Sequence, residues 1–214
     1  METITTIIPA YNEEKTIGNV LSVVKEIDLI DRIIVVSDGS EDKTAQIARS
    51  FGVDVIELKD NIGKGGAIKN GVDRTNGEII LFLDADLVGL KPKHVLDLLM
   101  PVVNGECDMS IGIFNNGRFA TDLAQKLTPY LSGQRAIKRY IIEGISNIDV
   151  VRYGVEVALT RYVSKNNIKT KEVYLDNVTH VMKEEKLGVV KGFTARLKMY
   201  RDIAKYISLV NLKK

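Results

Sequence analysis

Asp84 and Asp86 are two carboxylates one residue apart, directly after the apolar run Ile79-Ile80-Leu81-Phe82-Leu83. A carboxylate next to such a run is costly to bury unless a charge or a metal compensates it. Oxygen ligands suit Mg²⁺ or Mn²⁺, and an ion held by one or two carboxylates completes its shell with water and substrate phosphates. In extended backbone Asp84 and Asp86 point to the same side while Ala85 faces away. Taken alone, the pair reads better as two solvated loop acids. Three other polar clusters also follow apolar runs: Pro9-Ala10-Tyr11-Asn12-Glu13-Glu14, Asp38-Gly39-Ser40 and Asn61-Ile62-Gly63-Lys64-Gly65-Gly66. Two of them have a plain alternative, acids in a first helical turn for Glu13 and Glu14, and a tight turn with a capping serine for Asp38 to Ser40. Those alternatives do not account for all four clusters occurring in strand order.

The elements that must position these residues follow from patterning. Over residues 1–114, short β-branched runs alternate with amphipathic stretches, the pattern of a parallel sheet with crossover helices. Strands are predicted at Ile4 to Ile8, Arg32 to Ser37, Val53 to Leu58, Glu78 to Leu83 and Asp108 to Ile113. Helices are predicted at Glu13 to Ile27, Asp42 to Phe51, Gly65 to Arg74 and Pro92 to Val103, with Gly52, Gly77 and Gly105 at helix ends where positive φ is favoured. Open α/β sheets collect ligands beyond the carboxyl ends of their strands, which is where the four clusters fall. Beyond Phe114 one further strand is expected at Thr170 to Leu175, among helices rich in Arg, Lys and Tyr. No repeat or linker marks a boundary, so the expectation is a single domain over 1–214. The stretch Phe193 to Leu212 reads as a packed or dimer-forming C-terminal helix, in preference to a basic amphipathic helix on a membrane surface.

Composition excludes several functions. Lys plus Arg number 30 against 28 Asp plus Glu, a formal charge of +2, which is no basic field for nucleic acid. The single Cys107 can form neither an intramolecular disulfide nor a cysteine metal cluster, in keeping with a reducing compartment. No basic leader precedes the first strand and no apolar run reaches the roughly 18 to 20 residues that span a bilayer, so a cytoplasmic protein is expected. The first strand lacks Gly-x-Gly-x-x-Gly, with Pro9 read at the turn, and no Gly-x-x-x-x-Gly-Lys-Ser/Thr occurs. These absences disfavour a Rossmann dehydrogenase, a P-loop NTPase and a nucleotidyltransferase, which needs a glycine-rich phosphate loop near the first strand.

Taken together, Ile8-Pro9-Ala10-Tyr11-Asn12-Glu13-Glu14, Val36-Ser37-Asp38-Gly39-Ser40, Asn61-Ile62-Gly63-Lys64-Gly65-Gly66-Ala67 and Phe82-Leu83-Asp84-Ala85-Asp86 resemble the nucleotide-binding half of family 2 glycosyltransferases with the GT-A fold. The resemblance spans residues 1 to about 114. It implies a doubly wound, mostly parallel α/β sheet, a nucleotide-sugar donor such as UDP-glucose, and Mg²⁺ or Mn²⁺ as cofactor. By position it places Pro9, Ala10, Tyr11 and Glu13 around the nucleoside, Asp38 on the base or ribose, Lys64 near the base or diphosphate, Asp84 on the ribose and sugar side, and Asp86 on the metal. The family's usual Asp-Asp-Gly-Ser is Ser37-Asp38-Gly39-Ser40 here, one acid fewer.

Residues 115–214 would then form the acceptor half. Leu131-Ser132-Gly133-Gln134-Arg135-Ala136 resembles the acceptor loop of the smaller enzymes that make glucosyl-3-phosphoglycerate. Tyr153-Gly154-Val155-Glu156-Val157-Ala158-Leu159 resembles their segment with an acid beside the acceptor, and His180 falls at their third metal ligand. The resemblance thus makes Asp86 and Glu156 the catalytic candidates, Asp86 and His180 the metal ligands, and Ser132 and Gly133 acceptor contacts. Arg135, Lys138 and Arg139 lie near one face if this stretch is helical. Arg135 and Arg139, four apart, would grip a small anionic acceptor with guanidinium forks, although a solvated basic face is the commoner case; Glu156, for its part, could simply face solvent on an amphipathic helix. His94, beside Pro92, reads as a surface residue. Two alternatives stay open: a polyprenyl-phosphate sugar transferase acting at a membrane, and a nucleotide-sugar sensor without turnover.

Overall fold

The computed structural model describes residues 2–115, 132–145 and 155–180. Leu131, Tyr153, Gly154 and the stretch from Phe193 to Leu212 lie outside them. Residues Met1–Thr179 make one compact unit, and of the second, His180–Lys214, only His180 is described.

The described chain runs β1 (Ile4–Ala10), α1 (Ile17–Val24), β2 (Arg32–Asp38), α2 (Thr44–Ser50), β3 (Asp54–Leu58), α3 (Lys64–Val72), β4 (Ile79–Phe82) and β5 (Leu87–Val88). It continues with α4 (Pro92–Val103), β6 (Met109–Asn115), β7 (Arg135–Lys138), α5 (Arg139–Glu143), α6 (Val155–Lys165), β8 (Thr170–Asp176) and β9 (Thr179–His180). Seven strands form one sheet in the order β3-β2-β1-β4-β7-β6-β8, and β5 pairs with β9 in a second. Within the large sheet only β7 runs against its neighbours, β4 and β6. The strand order reverses at β1 and β4, the switch point where an open α/β sheet binds its ligand. None of the described helices is long and apolar enough to cross a membrane.

Two apolar clusters, one from each side of the pleat, hold the layers together. Along β4, Ile79 and Leu81 enter the first cluster, and Ile80 and Phe82 the second. Leu83, Ala85 and Leu87 continue in the first. The period-2 alternation therefore runs past the end of the strand. It turns Asp84 toward the side of the sheet where α3 and α6 pack, because Ala67, Ile68, Val155 and Leu159 of those helices belong to the second cluster. This is the packing reason why the acid meets residues from both helices.

Several expectations need correction. Pro9 is a strand residue, not a turn, with Pro9 opposite Val36 in β2. The last β1–β4 pair is Ile7 with Phe82, so the missing N–H of Pro9 falls where β1 has already left β4. Helix α1 starts at Ile17 and has no acid in its first turn. The backbone amides of Asn12, Glu13 and Glu14 are instead tied to Ser40, Thr44 and Asp42, which holds those residues in a loop. Gly52 and Gly105 do take positive φ, at 69° each, but Gly77 does not. At Gly77 a side chain would run into Thr5. His94 is buried, and its Nδ1 accepts the backbone N–H of Lys91 at 3.2 Å. Finally, residues 135–138 are a strand rather than a helix, since the gap between β4 and β6 supplies hydrogen-bond partners on both edges.

Candidate active site at the carboxyl ends of β1, β2 and β4

At the end of β2, Asp38 is buried, and its two carboxylate oxygens accept the backbone N–H groups of Ile62 and Gly63, each at 2.8 Å. The side-chain amide of Asn61 donates to the Asp38 carbonyl at 3.2 Å. Gly39 lies in the left-handed region at φ 68°, and a Cβ there would stand 2.6 Å from the Asn61 nitrogen. Gly63 precedes α3 with φ 89°. These contacts make Asp38 the brace of the loop that delivers Lys64 to the first turn of α3. The loop after β1 is fixed just as closely, because Asn12, itself at φ 55°, accepts the Glu41 N–H through its side chain at 2.9 Å. Ala10 is buried, Pro9 and Glu13 are partly buried, and Tyr11 presents an exposed ring at this rim.

At the end of β4 the contacts are between side chains. The Lys64 ammonium sits 2.6 Å from Asp84 Oδ1 and 2.6 Å from Glu156 Oε1. Burial works against the charge on Lys64, but the two carboxylates outweigh it and hold its pKa above the ordinary lysine value. The other Asp84 oxygen, Oδ2, accepts the side-chain N–H of Gln134 at 2.8 Å. The Asp84 backbone N–H donates to Gln134 Oε1 at 2.9 Å. Gly133 presses on this group, because a Cβ there would collide with the Lys64 ammonium and come within 2.8 Å of both Asp84 carboxylate oxygens. Ser132 donates its hydroxyl proton to the Gly112 carbonyl at 2.5 Å, which ties the start of this segment to β6.

Asp84, Asp86 and His180 each offer one ligand atom, and these atoms all lie within 4.8 Å of one another. Two carboxylate oxygens and an imidazole nitrogen are a donor set that fits Mn²⁺ or Mg²⁺, with positions left over for water or phosphate oxygens. The side chains are only partly buried, so a phosphate can reach them.

The two arginines expected to share one helical face are far apart in role and place. Arg135 lies opposite Phe82, at the end of β4 that leads to Asp84, while Lys138 lies opposite Ile79 at the other end. Arg139 follows Lys138. Four residues of strand cover roughly 13 Å, so the pair cannot close on one anion. Arg139 instead donates to the carbonyls of Thr75, just beyond α3, and of Val72, its last residue, at 2.6 and 3.4 Å, and pairs with Glu143. Arg135 is 1% exposed, donating to the Ser132 carbonyl at 2.9 Å and to the Thr160 hydroxyl at 3.0 Å. Burial pushes its guanidinium down to about 10 while Glu156 opposes the fall, which leaves it cationic at neutral pH. Glu156 does not simply face solvent; it is held by Lys64.

Gln134, quoted above only as part of a loop, is the contact of Asp84 to which the sequence reading gives no role of its own. It is fully buried, and a lone glutamine before a four-residue strand carries no periodic signal. Only the antiparallel insertion of β7 beside β4 brings it to Asp84.

The family profile of glycosyl transferase family 2 matches residues 5–165. A relative from Methanocaldococcus jannaschii, the uncharacterized protein MJ1222, is 30% identical over 218 residues, covering 90% of this chain and 89% of its own. Glucosyl-3-phosphoglycerate synthase from Mycolicibacterium smegmatis is 35% identical over 115 residues, half of this chain but only 37% of that protein. The crystal structure of glucosyl-3-phosphoglycerate synthase from Mycobacterium tuberculosis with Mn²⁺, UDP and glucosyl-3-phosphoglycerate matches at 28% identity and a TM-score of 0.69, over 84% of this chain and 72% of that one.

Proposed function

The chain belongs to glycosyl transferase family 2, and on that premise we propose that it transfers a hexose, glucose from UDP-glucose, to a small anionic hydroxyl acceptor of the phosphoglycerate type. The observation that carries this reading is the meeting of Asp84, Asp86 and His180 beside the Lys64–Glu156 ion pair at the switch point of the sheet. The donor and acceptor classes rest on the Mycobacterium tuberculosis enzyme, whose structures hold Mn²⁺ with UDP-glucose and phosphoglyceric acid or glycerol 3-phosphate.

In this reading Asp86, Asp84 and His180 hold Mn²⁺ or Mg²⁺, which supplies Lewis-acid neutralisation of the diphosphate leaving group. Tyr11, with Pro9, Ala10 and Glu13, lines the nucleoside side of the rim. Asp38 shapes the donor pocket through the loop it braces. Lys64 stands between two carboxylates, so an incoming diphosphate competes with Glu156 for its ammonium. Glu156, once released, is the group placed to orient the acceptor hydroxyl or take its proton. Gly133, where a Cβ would meet both Lys64 and Asp84, lets the acceptor segment pack directly against them. Arg139 has no part in acceptor binding, and Arg135 acts from beneath the site. The whole of residues 1–214 then serves as one GT-A domain, 1–114 for the donor and 115–214 for the acceptor.

The test is product analysis. The protein is incubated with UDP-glucose, Mn²⁺ and either 3-phosphoglycerate or glycerol 3-phosphate, and glycosylated product and UDP are followed by mass spectrometry. The expected result is metal-dependent formation of both, abolished by EDTA. Release of UDP and glucose alone, or transfer only to a polyprenyl phosphate, overturns the acceptor assignment. Binding of donor with no release of UDP identifies a sensor.

A further inference from the structure

We infer that Gln134 is a positioning residue that sets the orientation of Asp84, and through it the affinity of the site for a divalent cation. The inference rests on the functional reading above, in that it takes Asp84, Asp86 and His180 as the cation ligands. Its ground is the two-point contact between one side-chain amide and one aspartate. Oε1 of Gln134 accepts the Asp84 backbone N–H at 2.9 Å and Nε2 donates to Asp84 Oδ2 at 2.8 Å. The orientation of the amide is fixed by this geometry, since the backbone N–H can meet only an acceptor and the carboxylate only a donor. Just one planar group with a donor beside an acceptor satisfies both.

The clamp is itself held rigidly. Gln134 is fully buried, and its own carbonyl accepts the Gly112 N–H at 2.8 Å from the neighbouring strand β6. A Cβ added to Gly112 would stand 3.0 Å from the Gln134 Cβ and closer still to Leu175, so the residue is packed as well as bonded. With Oδ2 on Gln134 and Oδ1 on Lys64, the plane of the carboxylate is set by one immobile partner and one mobile one. Lys64 can leave for a phosphate, whereas Gln134 cannot leave. Asp84 therefore keeps its rotamer when the charge arrangement around it changes, and ligands that are prearranged in this way bind a metal more tightly. Loss of a partner that orients a metal ligand typically weakens metal affinity or activity by roughly 10- to 100-fold.

The experiment uses the full chain and Mn²⁺ alone, measured by titration with electron paramagnetic resonance. Gln134→Met keeps the volume and removes both hydrogen bonds. The expected result is a Mn²⁺ dissociation constant raised about 10- to 100-fold, with far-UV dichroism unchanged and, in the transfer assay, a lower kcat at an unchanged KM for the acceptor. A Mn²⁺ dissociation constant within about twofold of wild type (~0.4 kcal/mol) in the folded variant overturns the inference. A second measurement needs no substitution. In ¹⁵N-labelled wild-type protein, Mg²⁺ titration should shift the Gln134 side-chain amide resonances with the same midpoint as the Asp86 backbone amide. Resonances that stay in place overturn the clamp even if Gln134→Met does not fold. Failure of wild-type protein to bind Mn²⁺ or Mg²⁺ at all overturns the functional reading itself, and this inference with it.

Discussion

Asp38 and Asp84 are the same residue type at the ends of two strands of one sheet, β2 and β4, separated by β1. Asp38 spends both oxygens on backbone N–H groups of one loop, and Asp84 divides its oxygens between two side chains. The difference lies in what the neighbouring chain offers. Beside Asp38 the loop before α3 presents two amides that have no other partner within a helix or strand, so the carboxylate becomes a fixed part of the scaffold. Beside Asp84 the residue just before the antiparallel β7 is a glutamine, and α3 brings the ammonium of a long, flexible lysine. An acid at a strand end is thus fixed or adjustable according to whether its partners are backbone amides or side chains.

The contrast is broken most severely at Asp86. Asp86→Ala should lower transfer by about 1000-fold or more and remove the Mn²⁺-dependent part of UDP binding, because it deletes a charged oxygen ligand rather than a packing group. Dichroism should stay native, and full activity with Mn²⁺ in slight excess over donor would refute the metal assignment. Next come the two strand-end acids themselves. Asp84→Asn is expected to reduce kcat by about 100-fold while changing unfolding free energy by less than about 1 kcal/mol in urea. Asp38→Ala should do the reverse, costing about 2–4 kcal/mol by stranding the Ile62 and Gly63 amides and weakening UDP binding more than it slows the saturated rate. If the two variants lose stability and turnover in the same proportion, the distinction drawn here fails.

A smaller effect sharpens the same point on β7. Arg139→Ala should cost about 1–2 kcal/mol, since it removes hydrogen bonds to the carbonyls of Val72 and Thr75. Transfer kinetics should stay within about twofold, a difference of ~0.4 kcal/mol. A selective rise in acceptor KM would restore Arg139 to the acceptor site. The smallest effect belongs to His94. Burial lowers its pKa below the ordinary histidine value, and its Nδ1 accepts the Lys91 amide only when unprotonated. The unfolded chain therefore binds the proton more readily, so this contribution is present above about pH 6.5 and is lost as pH falls through that value. His94→Gln should flatten the stability profile between about pH 5 and 7, and an unchanged slope would show that His94 titrates alike in both states.

Much of the donor side is legible in the sequence because its signals are local. The β-branched runs give β1, β2, β3, β4 and β6, the helix at Pro92–Val103 has the predicted limits, and alternation past Phe82 already puts Asp84 and Asp86 on one side with Ala85 opposite. Local signals err where a partner from elsewhere decides. The amides of residues 12–14 could have begun a helix, but Ser40, Thr44 and Asp42 claim them.

What the amino-acid sequence by itself determined is the α/β class, the positions of the donor-side strands along the chain and the set of acids and the lysine at their ends, because periodicity and turn chemistry act over a few residues. Only the tertiary structure decided that residues 135–138 are a strand, that Arg135 is buried while Arg139 braces the far end of the sheet, and that Gln134 clamps Asp84. Four residues are too few to carry a period, and their conformation is set by the edges of β4 and β6, which lie far away in the chain.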